Sequence, residues 1–473
     1  MIKFTCTDEK YAGDLAELAR AFSQRTDEEF SLAVDFSFGE GELRVDLLSD
    51  KLPGFHKTAR FPFSYTDETD KKRQAKRLIK IAIYGVLVFL TGVELPYGCL
   101  TGIRPTKLFR ELAGNARETF EKDFSVAPAK VDLIERTVRA QQPLLNSDPE
   151  REVDLFVNIP FCPTRCAYCS FVSVAIDRQK ALVAPYVEKL TEEIRFLKGE
   201  IASRGKKVRA VYIGGGTPTV LPPKLLDAVL SECETEAGEF TVEGGRPETL
   251  TPSVLALLAA HGVTRLSVNP QSFNDATLER IGRRHTAEQV LKAYKRARKL
   301  FDVNMDLIAM LPSETFEDFR HSVDTALTLR PANLTVHTLY LKRGSELKLS
   351  GYRDGGSKLA EEMVDYAYSA VTGEGYEPYY MYRQKYTSGN LENVGYALPG
   401  KACVYNVDIM EENTTVYAAG AGAISKRVTP SLGLIERSAN FKEPLEYVRH
   451  FDEVMSRRRA FFGESGDASA KKE

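Results

Sequence analysis

The amino-acid sequence predicts an α/β protein centred on a partial (β/α)6 barrel of parallel strands, with a small α/β domain before it and an α+β capping domain after it. Three observations carry this expectation. From Asp154 onward, apolar β-branched runs alternate strictly with segments of helical period. Six such runs occur, fewer than the eight of a full barrel. The chemically distinctive residues fall at the run ends, where parallel α/β sheets bind ligands.

The N-terminal α/β domain is expected over residues 1–150. FSLAVDFSF and ELRVDLL read as strands, and KKRQAKRLIKIAIYGVLVFL and APAKVDLIERTVRAQ as helices. Lys71, Lys72, Arg73, Lys76, Arg77 and Lys80 make the first turns of the longer helix basic. Such a face meets solvent or an anionic partner, and solvent is the commoner case. Residues 81–93 (IAIYGVLVFLTGV) fall short of the ~20 apolar residues that span a bilayer, so they read as a buried helix and no membrane span is expected.

The barrel is expected over 151–345. Its strands are DLFVNIP, VRAVYIGGG, EFTVEGG, TRLSVNP, FDVNMDLIAM and ANLTVHTLY, separated by helices such as YVEKLTEEIRFLKGEIA and AEQVLKAYKRARKL. Right-handed crossovers between parallel strands would curl them toward a barrel. Residues 346–460 should cap its mouth with the helix SKLAEEMVDYAYSAV, further helices and two short strands from aromatic and glycine-rich sequence. The small polar tail 461–473 is expected to be disordered.

The chain has 473 residues and a formal net charge of −2. That length allows two or three domains, and mixed charges advertise neither nucleic acid nor an acidic membrane surface. Any anionic ligand must therefore be met by local cations. The N-terminal MIKFTCTDEK has no signal-peptide pattern, and unpaired-looking cysteines point to a reducing cytoplasm.

Three of the seven cysteines, Cys162, Cys166 and Cys169, are spaced C-x3-C-x2-C in NIPFCPTRCAYCSF, just past an apolar strand. Three thiolates this close can ligate three irons of a [4Fe–4S] cube, leaving the fourth iron to a non-protein ligand. A structural zinc site would need a fourth donor. Cys6, Cys99, Cys233 and Cys403 are scattered singly, and the nearest histidine, His261, is far away in sequence.

The second run ends in GGGTP (214–218), where glycines either allow charged groups of a ligand to approach the backbone or simply make a turn. The third ends at Glu243, the fourth leads to Gln271, Arg283 and Arg284 follow, and Asp306 lies in the fifth. Two carboxylates, an amide and a cation could bind the ammonium, carboxylate and ribose hydroxyls of an amino-acid nucleoside. Tyr168, between two cysteines, could stack on a purine or pack in the core.

These motifs resemble the radical S-adenosylmethionine superfamily: C-x3-C-x-aromatic-C, GGGTP, the strand-end Glu243 and SVNPQSF. Within it the chain resembles the oxygen-independent coproporphyrinogen III oxidase (coproporphyrinogen dehydrogenase) group. NIPFC, GRRHT, MDLIAMLP and GAGAISK follow that group's order, and GIRPTKL, LTVHTLYLKRGS and ENVGYALPGK resemble its HemZ-type branch.

The resemblance implies a [4Fe–4S] cluster on Cys162, Cys166 and Cys169, with S-adenosyl-L-methionine chelating the fourth iron. Gly215, Gly216 and Thr217 would support its methionine end, Glu243 and Arg283 its ammonium and carboxylate, and Gln271 and Asp306 its ribose, with Phe156 and Tyr168 also at the cofactor. The implied reaction is oxidative decarboxylation of two porphyrinogen propionates to vinyls. It calls for a tetrapyrrole substrate, a flavodoxin- or ferredoxin-like electron donor and a separate electron acceptor. Lys342, Arg343, Arg383 and Lys385 are the candidate cations for the substrate carboxylates.

The sequence departs from the oxidases at three positions. Phe171 replaces a further cysteine, Phe156 a tyrosine and Asn158 a histidine. The C-S-F ending resembles the family's haem chaperones, which would need an axial haem ligand such as His337 or Cys403. A radical enzyme acting on another tetrapyrrole is a further alternative.

Overall fold

The computed structural model describes residues 1–169, 173–341, 344–352, 356–385, 387–430 and 433–463. Phe171, Lys342, Arg343 and residues 464–473 of the expected tail lie outside the described residues.

Strands β1 (Ile2–Cys6), β2 (Phe30–Gly39), β3 (Glu42–Ser49) and β4 (Phe55–Pro62) form a four-stranded sheet in that order. Alternation buries Leu32 and Val34 of β2 with Leu43, Val45 and Leu47 of β3. Between these strands Gly41 takes a φ of 73°, the positive value a tight hairpin requires. The helix Glu68–Thr91 places Ile79, Ile83, Val86 and Leu87 in the core while Phe89 stays 68% exposed. It is therefore amphipathic, not buried all round as the apolar run suggested. Among the described residues, no helix is long and apolar enough to cross a membrane.

The remaining long strands share one eleven-stranded sheet. The six expected runs become β5 (Glu152–Ile159), followed after the short β6 (Phe161–Cys162) and β7 (Val174–Ala175) by β8 (Lys207–Gly215), β9 (Glu239–Val242), β10 (Arg265–Ser267), β11 (Asp302–Ala309) and β12 (Asn333–Thr338). All six pair in parallel in chain order. The C-terminal segment adds five strands where two short ones were expected. β13 (Glu377–Arg383) and β14 (Glu392–Ala397) extend the sheet antiparallel beyond β12. β15 (Thr415–Ala419) joins β5 in parallel, and β16 (Ile424–Thr429) and β17 (Leu434–Ala439) follow. The sheet is open, with β13 and β17 as its edges. β15 is the run TVYAA, whose Thr415, Val416 and Tyr417 are good strand formers; its parallel pairing with β5, about 260 residues earlier, is what tertiary structure adds.

Period two decides which side chains enter the sheet's concave interior. On β5, Val153, Leu155, Val157 and Ile159 pack with the surrounding helices, while Asp154, Phe156 and Asn158 take the other face. Register then puts Phe156 beside Tyr212 of β8, and Asp306 of β11 beside Thr335 of β12.

Buried polar ties join the segments. Glu193, on the helix Lys180–Ser203, accepts from Gly420 N at 2.8 Å, Asn440 Nδ2 at 2.9 Å, Tyr447 Oη at 2.7 Å and Arg458 Nε at 2.8 Å. Both Glu193 and Arg458 are wholly buried, and Arg458 also donates to Ala418 O and Ser438 O. On the far edge, Arg136 forms a bidentate pair with Glu377 at 2.6 and 2.8 Å, and Lys130 donates to Glu392 at 2.7 Å. Removing one member of the central pair strands a buried charge. Glu193→Leu or Arg458→Met should each lower unfolding free energy by about 3–5 kcal/mol. The double variant should recover part of that loss in a denaturant titration; a loss equal to the sum of the singles contradicts the pairing.

Candidate functional site

The cysteine loop leaves β5 through Pro160 and is pinned on three sides. Ala167 N donates to Ile281 O at 3.0 Å, Leu347 N donates to Ala167 O at 3.1 Å, and Arg246 Nη2 reaches Thr164 O at 2.8 Å. Cys169 N donates to Cys166 O at 3.0 Å, a tight turn between the second and third thiols. Cys162 Sγ accepts from Thr217 Oγ1 at 3.6 Å, which ties the loop to the glycine run ending β8. Burial pushes the Cys162 thiol up from its usual value, so a metal must displace its proton.

Among the described residues, no three His, Cys, Asp or Glu side chains converge as a single metal ion requires. A cubane binds each cysteine through a different iron, and three cysteines on one loop supply that donor set.

Beside the loop, Gly215 N donates to Glu243 Oε2 at 3.0 Å, Gly216 N to Ile159 O at 2.8 Å and Thr217 N to Phe161 O at 2.7 Å. These N–H groups are used internally, so the turn has carbonyl oxygens to offer a ligand; it is not the open set of donors that the glycines alone suggested. The glycines are required by packing as well. A Cβ on Gly214 would lie 2.7 Å from Glu243 Cδ, one on Gly216 2.5 Å from Phe161 O, and one on Gly215 would overlap Asn158 Oδ1.

Glu243 also accepts from Tyr212 Oη at 2.6 Å. Burial is the largest influence on it and holds its carboxyl up at about 7. Arg283, buried, brackets three elements: Nη1 donates to Gly245 O at 3.1 Å and Asn269 O at 2.6 Å, and Nη2 to Tyr168 Oη at 3.1 Å. Among the described residues its Nε has no hydrogen-bond partner. Tyr168 is thus held by its hydroxyl. Gln271, at φ 67°, bonds through its backbone to Asp306 O and Ile308 N, and its buried Oε1 has no partner among the described residues. Asp306 accepts from Asn269 Nδ2 at 2.7 Å and Asn304 Nδ2 at 2.8 Å. Burial would raise its pKa, but the neighbouring His337 imidazole, the Asn304 amide and the Thr335 hydroxyl together hold the carboxyl below its ordinary value.

The structure therefore brings together the cysteine loop, Gly215, Gly216, Thr217, Glu243, Gln271, Arg283, Asp306, Tyr168 and Phe156. Arg383 and Lys385 are engaged elsewhere. Arg383 is 5% exposed, donates to Leu100 O and Asn390 O, and lies 3.8 Å from the centre of the Tyr97 ring; Lys385 pairs with Asp14 at 2.8 Å and Glu17 at 3.1 Å. Both hold the N-terminal segment, which corrects their expected place at the substrate carboxylates.

Sequence reasoning missed Tyr212, Tyr405 and Tyr382. Tyr405, at the start of the helix Val404–Glu411, stacks on Tyr212 at 4.4 Å and on Phe156 at 6.0 Å, building an aromatic floor. Tyr382 Oη bonds His337 Nδ1 at 3.1 Å. Alternation along β8 would have turned Tyr212 inward; no local signal marks Tyr405. The other suggested haem ligand, Cys403, is buried on Glu239 at 3.2 Å, at the starting end of β9 and away from the cysteine loop.

Two glycine variants separate side-chain from backbone crowding. Gly216→Ala presses on two backbone carbonyls and should destabilise by about 1–3 kcal/mol with no rescue. Asn158→Ala in Gly215→Ala should recover part of the loss, since the overlap is with that side chain and only the strain of φ 100° persists. Thermal melts check both, and equal rescue of the two contradicts this geometry.

Residues 157–326 match the Radical SAM superfamily. An oxygen-independent coproporphyrinogen-III oxidase-like protein, HemZ of Bacillus subtilis (strain 168), is 38% identical over 82% of this chain and 82% of its own length. The haem chaperone HemW of Lactococcus lactis is 32% identical over 57% of this chain and 68% of its own. Among solved structures, the coproporphyrinogen III oxidase HemN of Escherichia coli, a radical SAM enzyme, aligns with a TM-score of 0.52 at 24% identity, over 67% of this chain and 72% of that one, which supports the fold. The chain belongs to the radical SAM superfamily, whose members use a [4Fe–4S] cluster and S-adenosylmethionine, and within it to the family of coproporphyrinogen-III oxidase-like proteins and haem chaperones.

Proposed function

We propose that this protein oxidatively decarboxylates two propionates of coproporphyrinogen III to vinyls, giving protoporphyrinogen IX. Cys162, Cys166 and Cys169 hold the cluster. When bound, the cluster and S-adenosylmethionine supply a 5′-deoxyadenosyl radical able to take a hydrogen atom from a propionate β-carbon. Each propionate then loses carbon dioxide and one electron, which passes to a separate acceptor, and the α- and β-carbons become the vinyl group.

The chain's own residues orient and shield. Glu243 and the carbonyls of Gly215 and Gly216 accept hydrogen bonds from an amine, and the spare Nε of Arg283 suits a carboxylate. The unpartnered Oε1 of Gln271 and the carboxylate of Asp306 suit ribose hydroxyls. The Phe156, Tyr212 and Tyr405 floor keeps water from the interior. Lys342 and Arg343, directly after β12 in sequence, are the cations this reading assigns to the propionates.

What supports the oxidase over a haem chaperone is the likeness to the oxidase-like HemZ, 38% identical over 82% of this chain, against 32% over 57% for HemW. Of the suggested axial donors, Cys403 is buried away from the cysteine loop, whereas His337 bonds Tyr382 through Nδ1 with Nε2 3.9 Å from Asp306, a geometry that still permits ligation. The chaperone reading draws on the HemW relatives and on a cysteine loop ending in C-S-F.

Anaerobic protein with a reconstituted cluster, reductant, S-adenosylmethionine and coproporphyrinogen III should give 5′-deoxyadenosine and vinyl product together. Cofactor cleavage without vinyl product overturns the oxidase reading, and tight haem uptake lost on changing His337 supports the chaperone. Cys166→Ala should remove the cluster's visible absorbance; a normal spectrum defeats the ligand assignment. Glu243 supplies the pH test. An amine ligand favours its carboxylate, so binding below about 7 must release the proton that burial retains. Affinity for S-adenosylmethionine should strengthen as pH rises through about 7, by up to about tenfold per pH unit below it. Glu243→Gln should bind more weakly with a flatter profile, read by equilibrium dialysis.

A further inference from the structure

The basic face of the helix Glu68–Thr91 lines a cavity and is not simply solvated. Lys72, Lys76 and Lys80 follow one another at i, i+4, and so do Arg73 and Arg77, so like charges repel along both rows. The rows border a cavity of about 550 Å³ whose other walls are Leu100, Thr101, Gly102, Ile103, Leu108 and Lys385.

Protein carboxylates neutralise only part of this charge. Lys76 and Lys385 share Asp14, Lys385 also pairs with Glu17 at 3.1 Å, Arg73 pairs with Asp70 at 2.9 Å and with Glu111 at 3.8 Å, and the cavity's other carboxylate, Glu68, lies 3.5 Å from Lys71. Lys72, Arg77 and Lys80 have no ion-pair partner among the described residues. Lys80 Nζ donates to Thr101 Oγ1 at 2.6 Å, and the Arg77 guanidinium lies over the Phe124 ring at 5.6 Å. Both are pulled below their usual pKa by burial, Arg77 further by the charge of Arg73. Repelling, partly desolvated cations around a concave space reduce stability unless an anion joins them.

We propose that this cavity binds a small polyanion: two or more phosphate or carboxylate groups on a body of nucleotide size, held by Lys72, Arg77 and Lys80 with the Thr101 hydroxyl. The volume lies within the ~300–1,000 Å³ of small-molecule sites. Arg77 offers a planar fork that pairs with two anionic oxygens at once, Lys72 and Lys80 add point charges, and Leu100, Ile103 and Leu108 seat the uncharged body. Gly102, at φ 56°, shapes the wall: a Cβ there would lie 2.8 Å from the Lys385 side chain, so its absence lets that lysine's stem close the loop against the end of β13. The site stands apart from the cysteine loop and does not rest on the decarboxylase reading.

Calorimetric titration of the full chain with pyrophosphate, ADP and citrate tests the site. At least one probe should bind saturably and weaken steeply with added salt. Lys72→Ala with Arg77→Gln should weaken that binding by about tenfold or more, while the unliganded variant melts no lower than the parent, because repulsion has been removed. Pyrophosphate and ADP binding above citrate identifies phosphate as the recognised group, and the reverse order identifies carboxylate. Absence of saturable binding by all three at low salt, or parental affinity in the double variant, overturns the proposal. Should the double variant fail to fold, the exposed Lys72→Ala alone decides: unchanged affinity for every probe overturns the site.

Discussion

Glu193 gathers four donors from three later parts of the chain, and that arrangement fixes where β15 ends. Gly420, held by this carboxylate, has no room for a side chain because Asn158 O and the Tyr186 hydroxyl occupy the space. Asn158 in turn donates to Ala421 O and packs against Gly215, whose N–H holds Glu243. A buried ion pair on the outer side of the sheet is thereby connected, contact by contact, to the carboxylate in its mouth. Replacing the pair by apolar residues could preserve stability, but the turn at Gly420 would lose the acceptor that orients it.

The same chain of contacts gives Asn158 a structural use, with its amide bridging the GAGA turn and the GGG turn. The interior it borders is strongly asymmetric. Glu243, Asp306 and Gln271 present acceptors, whereas Arg283 is the cation among them and has spent most of its donors on the backbone and on Tyr168. Such a mouth suits a ligand rich in hydroxyl and amine donors with one anionic group. It does not by itself suit several carboxylates.

The N-terminal segment is more than an appendage. Arg383, Lys385, Glu377 and Glu392 on or beside the β13–β14 edge are all consumed in fastening it. GIRPTKL is part of that fastening: Arg104 and Lys107 meet Glu412, and Thr106 donates to Glu411 at 2.7 Å. The motif thus acts through the interface between segments, with its glycine forming one wall of the cationic cavity.

What the sequence determined was whatever repeats with a local period or sits at fixed spacing. The six parallel strands followed from apolar runs of strand length, the cysteine loop from C-x3-C-x2-C, and the inward set Phe156, Glu243 and Asp306 from their places on or at the ends of those strands. What only the tertiary structure decided was pairing across long sequence separation. Arg383 looks like a ligand cation in sequence and becomes a buried tether because Leu100 O and the Tyr97 ring arrive from nearly three hundred residues earlier. Tyr405 completes the aromatic floor from a helix whose own sequence is unremarkable, and the His337 ring is held in place when β13 brings Tyr382 beside its Nδ1. Hydrogen-bond capacity is finite, so a side chain's role depends on which partners the fold has already given it.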